Sequence, residues 1–229
     1  NGVGKSNLFD AIQFLRALAD QELQPAAQSI RSPASGSFGP RDLFFGGDTS
    51  RTIEFEADLL VPREVEDDFG RRVEPATTLL RYELSLRLES SDAPRLEIAR
   101  ESLDSLKAVD AKQLIGFPHS SSFRKSVVKS TRRVGPLIST RAEDDGRKSL
   151  FLHQDGGSRG RPIPAGQSPR TVVGGTNAAE YPTVLAARRE MSSWQLLHLE
   201  PSVMRAPDQL GETARVNSRG AHMASTLAR

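Results

Sequence analysis

A mixed α/β fold is what this sequence of 229 residues predicts, and three observations predict it. A Gly-x-Gly-Lys-Ser run stands directly ahead of a stretch whose apolar residues recur at helical spacing. Residues 53–59 and 80–88 alternate apolar and polar side chains, the period of half-buried strands. A second helical stretch, 181–191, leads into a short apolar run at 194–199.

The opening element reads Asn1-Gly2-Val3-Gly4-Lys5-Ser6-Asn7. Gly4-Lys5-Ser6 is the end of the pattern G-x-x-x-x-G-K-[ST], the P-loop that holds nucleotide phosphates. The pattern's first glycine, and the strand that feeds such a loop, are expected ahead of Asn1. Glycines suit this place because they lack a Cβ and tolerate positive φ. Gly2 and Gly4 would let successive N–H groups turn inward as an anion nest. Lys5 would reach the β- and γ-phosphates, and the Ser6 hydroxyl would ligate Mg²⁺. Leu8, Ala11, Ile12, Leu15 and Leu18 form one stripe of the following helix, and Asp10, Gln13 and Arg16 the other face. That helix would point its N-terminal dipole at the phosphates. The plainer alternative is a glycine-rich helix start with a solvated lysine.

Asn1 to Leu15, NGVGKSNLFDAIQFL, resembles the start of the RecF-like and SMC-like branch of the ABC class of P-loop ATPases. Asn1, Asn7, Asp10, Ala11 and Ile12 match that branch beyond the bare loop. Bacterial predicted AAA-type ATPases and the ATPase halves of OLD-type proteins share the pattern. Trp194 to Arg205 and Gly220 to Leu227 are more loosely similar to later segments of the same lobe. The resemblance implies an α/β P-loop NTPase fold, the N-terminal lobe of an ABC-type ATPase head with an antiparallel β-subdomain. It implies one head domain over 1–229: the loop end and helix at 1–20, an antiparallel meander at 51–100, and a helix-strand-helix start at 178–229. It also implies ATP and Mg²⁺ as ligands, with Asn1 to Asn7 binding nucleotide, Lys5 catalytic and Ser6 on the metal. The signature motif, the Asp-Glu-ended Walker B strand and the switch histidine of such heads are not found here, and in the family they lie farther along the chain. By resemblance, the intact protein pairs two heads around two ATP molecules and acts in DNA repair, recombination or phage defence, with DNA and a nuclease as candidate partners. Residues 1–229 alone are expected not to hydrolyse ATP. A nucleotide-switched interaction protein is the alternative. A transporter ATPase fits less well, because such heads more often read G-K-[ST]-T.

The remaining elements follow in order. Residues 20–50 are rich in Ser, Pro, Gly and Ala and read as a loop, with Phe44 to Asp48 turning into the first strand. Arg41 in that loop is a candidate second nucleotide contact, by resemblance. Residues 53–59, 80–88 and a shorter strand at 96–98 make the meander. Leu103, Leu106 and Val109 are consistent with a helical stripe. Arg124 to Arg141 holds six basic residues and no acid. It is either a non-specific phosphate-binding patch or a solvated loop balanced by Glu143, Asp144 and Asp145. Phe123 is the lone aromatic there, so base stacking is not indicated. Ser149 to His153 reads as a strand, and the Gly/Pro-rich interval 155–177 as an exposed loop. Pro182 is tolerable in the first turn of the 181–191 helix. Leu196 to Pro201 imitates a Walker B strand, but Leu199 stands where the metal-binding aspartate belongs. A strand closed by Pro201 is the simpler account of Glu200.

Composition sets outer bounds. Apolar residues are 37% of the chain and mean hydropathy is −0.44, values that go with a modest core and long polar loops. Cysteine is absent, which excludes disulfides and Cys-based metal sites. The histidines at 119, 153, 198 and 222 lack metal-ligand spacing. No apolar run has the length of a membrane span. A P-loop implies access to ATP, and so a cytoplasmic location without membrane partners. Net charge is only +2 despite a pI near 9.1, too little to argue for nucleic acid by itself.

Overall fold

The computed structural model describes residues 4–30, 39–89, 94–130, 135–144, 146–155, 160–207 and 216–227. The chain divides into two compact units, Asn1–Gln13 with Trp194–Arg229, and Phe14–Ser193. Helix α1 (Lys5–Leu18) runs from the first unit into the second, and α2 (Leu23–Ile30) follows within the second.

The larger unit is built on a six-stranded antiparallel sheet. Its strands are β1 (Ile53–Leu60), β4 (Leu79–Glu89), β5 (Arg95–Ser105), β6 (Ile138–Ala142), β7 (Lys148–Leu152) and β8 (Arg161–Pro164), adjacent in that order. A small ribbon, β2 (Val65–Glu66) with β3 (Arg72–Val73), lies between β1 and β4 in the chain. β8 carries Pro162 and Pro164, which lack amide donors, and it sits at the sheet edge, where a missing donor does least harm. Along β1, Glu54, Glu56 and Asp58 are exposed while Ile53, Phe55, Ala57 and Leu59 turn inward. Its partner β4 buries Leu80, Tyr82, Leu84 and Leu86 at every second position.

β5 departs from simple alternation. Its register against β4 shifts at Ser85/Leu86: Ser85 faces Arg100, and Leu86 faces Ile98. Ala99 is therefore a bulge, and one extra residue swaps the faces of the strand. Before it Leu96 and Ile98 point inward; after it Glu101 and Leu103 do. The strand runs to Ser105, so Leu103 belongs to the sheet and not to a helical stripe with Leu106 and Val109. β5 meets β6 at a single paired position, Leu103 with Ile138.

Phe14, Leu15 and Leu18 of α1 and Leu23, Ala26 and Ala27 of α2 belong to the buried core. So do Val172 and Val173 of α5 (Val172–Gly175), and Val184 to Ala187 of α6 (Pro182–Ser193). Phe14 packs against Phe55 of β1 with ring centroids 5.7 Å apart. A smaller cluster joins Leu79 to Ala111 and Ile115, around α3 (Ala111–Leu114). The short helix α4 (Ser121–Val127) follows α3, and Ser120 caps it by accepting from Phe123 N.

Two segments read as loops contain regular elements among their described residues. The 20–50 interval holds α2, whose Pro25 falls in the first turn, where its missing N–H costs nothing. The 155–177 interval holds β8 and the buried α5. The expected strand at 194–199 is not one. Leu197 and Leu199 are exposed, and among the described residues the segment makes isolated backbone bonds, His198 N to Ser218 O at 2.7 Å and Glu200 N to Arg219 O at 3.0 Å. Without a neighbouring ladder an extended segment is not a sheet strand. Among its described residues this smaller unit also holds two short helices, α7 (Pro201–Met204) and α8 (Met223–Leu227).

Candidate functional site

The opening loop meets its helix at Gly4. Gly4 has φ +77°, a conformation that side chains with a Cβ rarely adopt, and an added Cβ would meet nothing within 4 Å. Leu8 N donates to Gly4 O at 3.1 Å, so Gly4 closes the first turn of α1 from the left-handed region. The first N–H groups of a helix have no acceptor inside it, which leaves the start of α1 electropositive. Ser6 and Asn7 are exposed in that turn, and no acidic residue lies in it to repel an anion. Asn1, Gly2, Val3 and the side chain of Lys5 lie outside the described part. What is described therefore fits the phosphate end of a nucleotide: a glycine in the required backbone state, a helix N-terminus and a hydroxyl suited to a hard cation. Among the described residues no group of three or more His, Asp or Glu side chains could hold a metal ion.

The apolar stripe of α1 is unequally covered. Leu15 and Leu18 are buried, whereas Leu8 and Ile12 are 61% and 38% exposed, as is the neighbouring Phe9 at 46%. Arg41 is exposed in a 3-10 turn, Pro40–Leu43. Glu200 is the residue ahead of α7, with Pro201 first in that helix, and Arg219 lies 3.5 Å from its carboxylate.

Three described residues of the basic stretch have separate partners. Arg124 contacts His119 Nε2, Lys129 Nζ is 2.7 Å from Glu74, and the Arg141 guanidinium lies over the Phe151 ring. Arg132 and Arg133 lie outside the described residues. His153 is buried, its Nε2 2.9 Å from Ser139 Oγ.

One group escapes sequence reading altogether. Glu101 is fully buried, brought inward by the Ala99 bulge. Its carboxylate accepts from Val172 N at 2.7 Å, Val173 N at 3.0 Å and Tyr82 Oη at 3.2 Å. Burial pushes its pKa up to about 7, and the three donors only partly offset that. Burial and the neighbouring carboxylate raise the Tyr82 phenol as well. Thr171, ahead of α5, accepts from Gly174 N at 3.0 Å. The sequence carries no local sign of this cluster, because alternation through Arg100-Glu101-Ser102 would put Glu101 on the solvent face.

With the loop end, its helix and the sheet in place, the comparison with known families is specific. The profile of the family described as "AAA domain, putative AbiEii toxin, Type IV TA system" matches residues 1–133, more than half of the chain. This chain belongs to that family, one of P-loop AAA-type ATPases, and its fold is the P-loop NTPase-like α/β class with a six-stranded antiparallel sheet. No curated protein and no solved structure matches it. Among the described residues no helix is long and apolar enough to cross a membrane.

Proposed function

We propose that residues 1–7 form the phosphate-binding end of an ATP site. In this reading the N–H groups of Gly2 to Ser6 surround the β- and γ-phosphates, with Asn1 and Val3 shaping the loop. Lys5 places its ammonium against the γ-phosphate, Ser6 holds Mg²⁺, and Asn7 borders the site. Bound Mg²⁺ supplies charge neutralisation on the phosphates. Phosphoryl transfer asks the protein mainly for positioning and charge stabilisation, and backbone N–H groups and a lysine suit that task. The observation that carries the reading is Gly4: its positive φ and its closure onto Leu8 place Gly-Lys-Ser at the first turn of a helix.

The finer assignment, a RecF/SMC-like head within 1–229 that pairs with a second head and works on DNA or in defence, rests on the Asn1 to Leu15 pattern. The toxin–antitoxin system in the family's description favours the defence branch. Location in the cytoplasm follows from the use of ATP. The switch reading differs in one respect, binding without sustained turnover.

Calorimetry of the intact protein with MgATP tests the site. Lys5→Ala is expected to lose about 10- to 100-fold in affinity, the worth of a charge-assisted contact. Ser6→Ala should lose affinity for MgATP more than for metal-free ATP. Unchanged binding in Lys5→Ala would remove the reading. Residues 1–229 alone are expected to bind ATP weakly or not at all and not to turn it over, and Lys5-dependent hydrolysis by them would refute that.

A further inference from the structure

The loop from α3 to α4 and the first turn of α4 carry an aromatic cluster that the linear sequence does not show. Phe117, His119 and Phe123 meet with ring centroids 5.7, 5.8 and 6.1 Å apart. Phe117 and Phe123 remain 53% and 37% exposed. His119 is fixed from both sides. Arg124 Nη1 lies 3.1 Å from Nε2, and since a guanidinium only donates, Nε2 accepts. Nδ1 then carries the proton and donates to Phe117 O at 2.7 Å. The cluster does not serve to cap α4, because Ser120 already does so through Phe123 N.

The charge of the chain segment that carries these rings is one-sided. Residues 106–130 contain Lys107, Lys112, Arg124, Lys125 and Lys129 against one acid, Asp110. Lys129 is engaged with Glu74, while Lys107, Lys112 and Lys125 are exposed. Exposed aromatic rings on a segment rich in exposed cations are what a single-stranded nucleic acid needs. Its bases stack on the rings and its phosphates meet the cations. A duplex keeps its base faces stacked and cannot use the rings. An apolar peptide would use the rings but not the positive charge.

We infer that the exposed Phe117–His119–Phe123 cluster, with Lys112, Arg124 and Lys125, is a binding surface for single-stranded nucleic acid. This surface is separate from the nucleotide reading and does not depend on it.

Fluorescence anisotropy with a labelled oligothymidylate of about 15 nucleotides, near the upper span of single binding modules, tests the inference without ATP. Wild-type protein should bind, and more weakly as salt rises. Phe117→Ala/Phe123→Ala should lose about tenfold or more in affinity and keep the salt slope. Lys112→Glu/Lys125→Glu should weaken binding and flatten that slope. Phe117→Trp, which keeps an aromatic platform, should bind at least as well as wild type, and it decides the matter if the double alanine variant does not fold. Three results would overturn the inference: no binding by the wild type, equal displacement by base-free polyphosphate with no effect of the phenylalanine changes, or preference for the matching duplex. A Phe117→Trp variant that binds tenfold worse would do the same.

Discussion

Glu101 shows how one side chain can link the fold to pH. Its folded pKa is near 7, against an ordinary value of 4.5, and burial is the main cause. Between those values the folded protein holds a proton that the unfolded chain has released. Stability from this group is therefore complete below about pH 4.5 and lost as pH rises through 7. The span corresponds to an effect on the order of 3 kcal/mol. Asp48, Asp67, Asp68 and Glu74 are all held below their ordinary values by hydrogen bonds and cations and so titrate below this window, whereas burial and the neighbouring Glu83 raise Asp104 above its ordinary value. The thermal midpoint is expected to fall between pH 5 and pH 8. In Glu101→Gln that fall should flatten, because no proton can be exchanged there. The variant should also be less stable at pH 5, since its amide nitrogen, which cannot accept, would face one of the two donors, Val172 N or Val173 N. An unchanged slope in the variant would assign the pH dependence elsewhere.

At the scale of elements, α5 is fixed from three directions. Glu101 accepts its first two amides, Thr171 caps it, and Thr171 Oγ1 also lies 3.3 Å from Leu18 O at the end of α1. Gly174 makes the approach possible, for a Cβ there would sit 2.2 Å from Leu18 O and 2.9 Å from Thr171 Oγ1. Gly174→Ala is expected to cost roughly 1–3 kcal/mol or more, as overpacking against backbone does. Gly175, with open space around its Cβ, should accept alanine with little change. Equal midpoints for the two variants in differential scanning calorimetry would contradict this packing. The same element marks the limit of sequence reading. β1 and β4 were legible because each alternates without interruption over a partner of matching register. The second half of β5 was hidden by the Ala99 bulge. α2 was hidden by Pro25, a breaker inside a helix but not in its first turn. α5 was hidden by Gly and Thr, residues that read as loop until a buried carboxylate satisfies their amides. The 194–199 run looked like a strand because apolar content is local, whereas a ladder partner is not. Of the candidate site, the Gly-Lys-Ser turn was legible, since its chemistry lies within consecutive residues; the aromatic cluster was not, since it depends on how the chain folds between Phe117 and Phe123.

Across the larger unit, the sheet has a seam. β1, β4 and β5 pair over long registers, and so do β6, β7 and β8 among themselves. Between the two sets there is one paired position, Leu103 with Ile138, and Leu137 N donating to Leu103 O at 2.9 Å. Beyond it a side chain replaces the ladder. Thr140 Oγ1 accepts from Glu101 N at 2.8 Å and lies 2.7 Å from Glu101 O as a donor. The far side is tied back by Asp155, which accepts from Ala76 N and from the Thr183 hydroxyl. A sheet joined so narrowly should open in two steps, because the free energy of local opening follows the contacts broken. Hydrogen exchange is expected to give the slowest amides in β4 and its partners, with β6 to β8 exchanging sooner as a group. Thr140→Val removes the hydroxyl while nearly keeping its shape, leaving Glu101 N and O without that partner. It should speed exchange in β6 to β8 and leave β1 and β4 close to wild type. If both sets instead accelerate together, the sheet opens as one cooperative body, and the single pair at Leu103 is no weaker a joint than the long registers on either side.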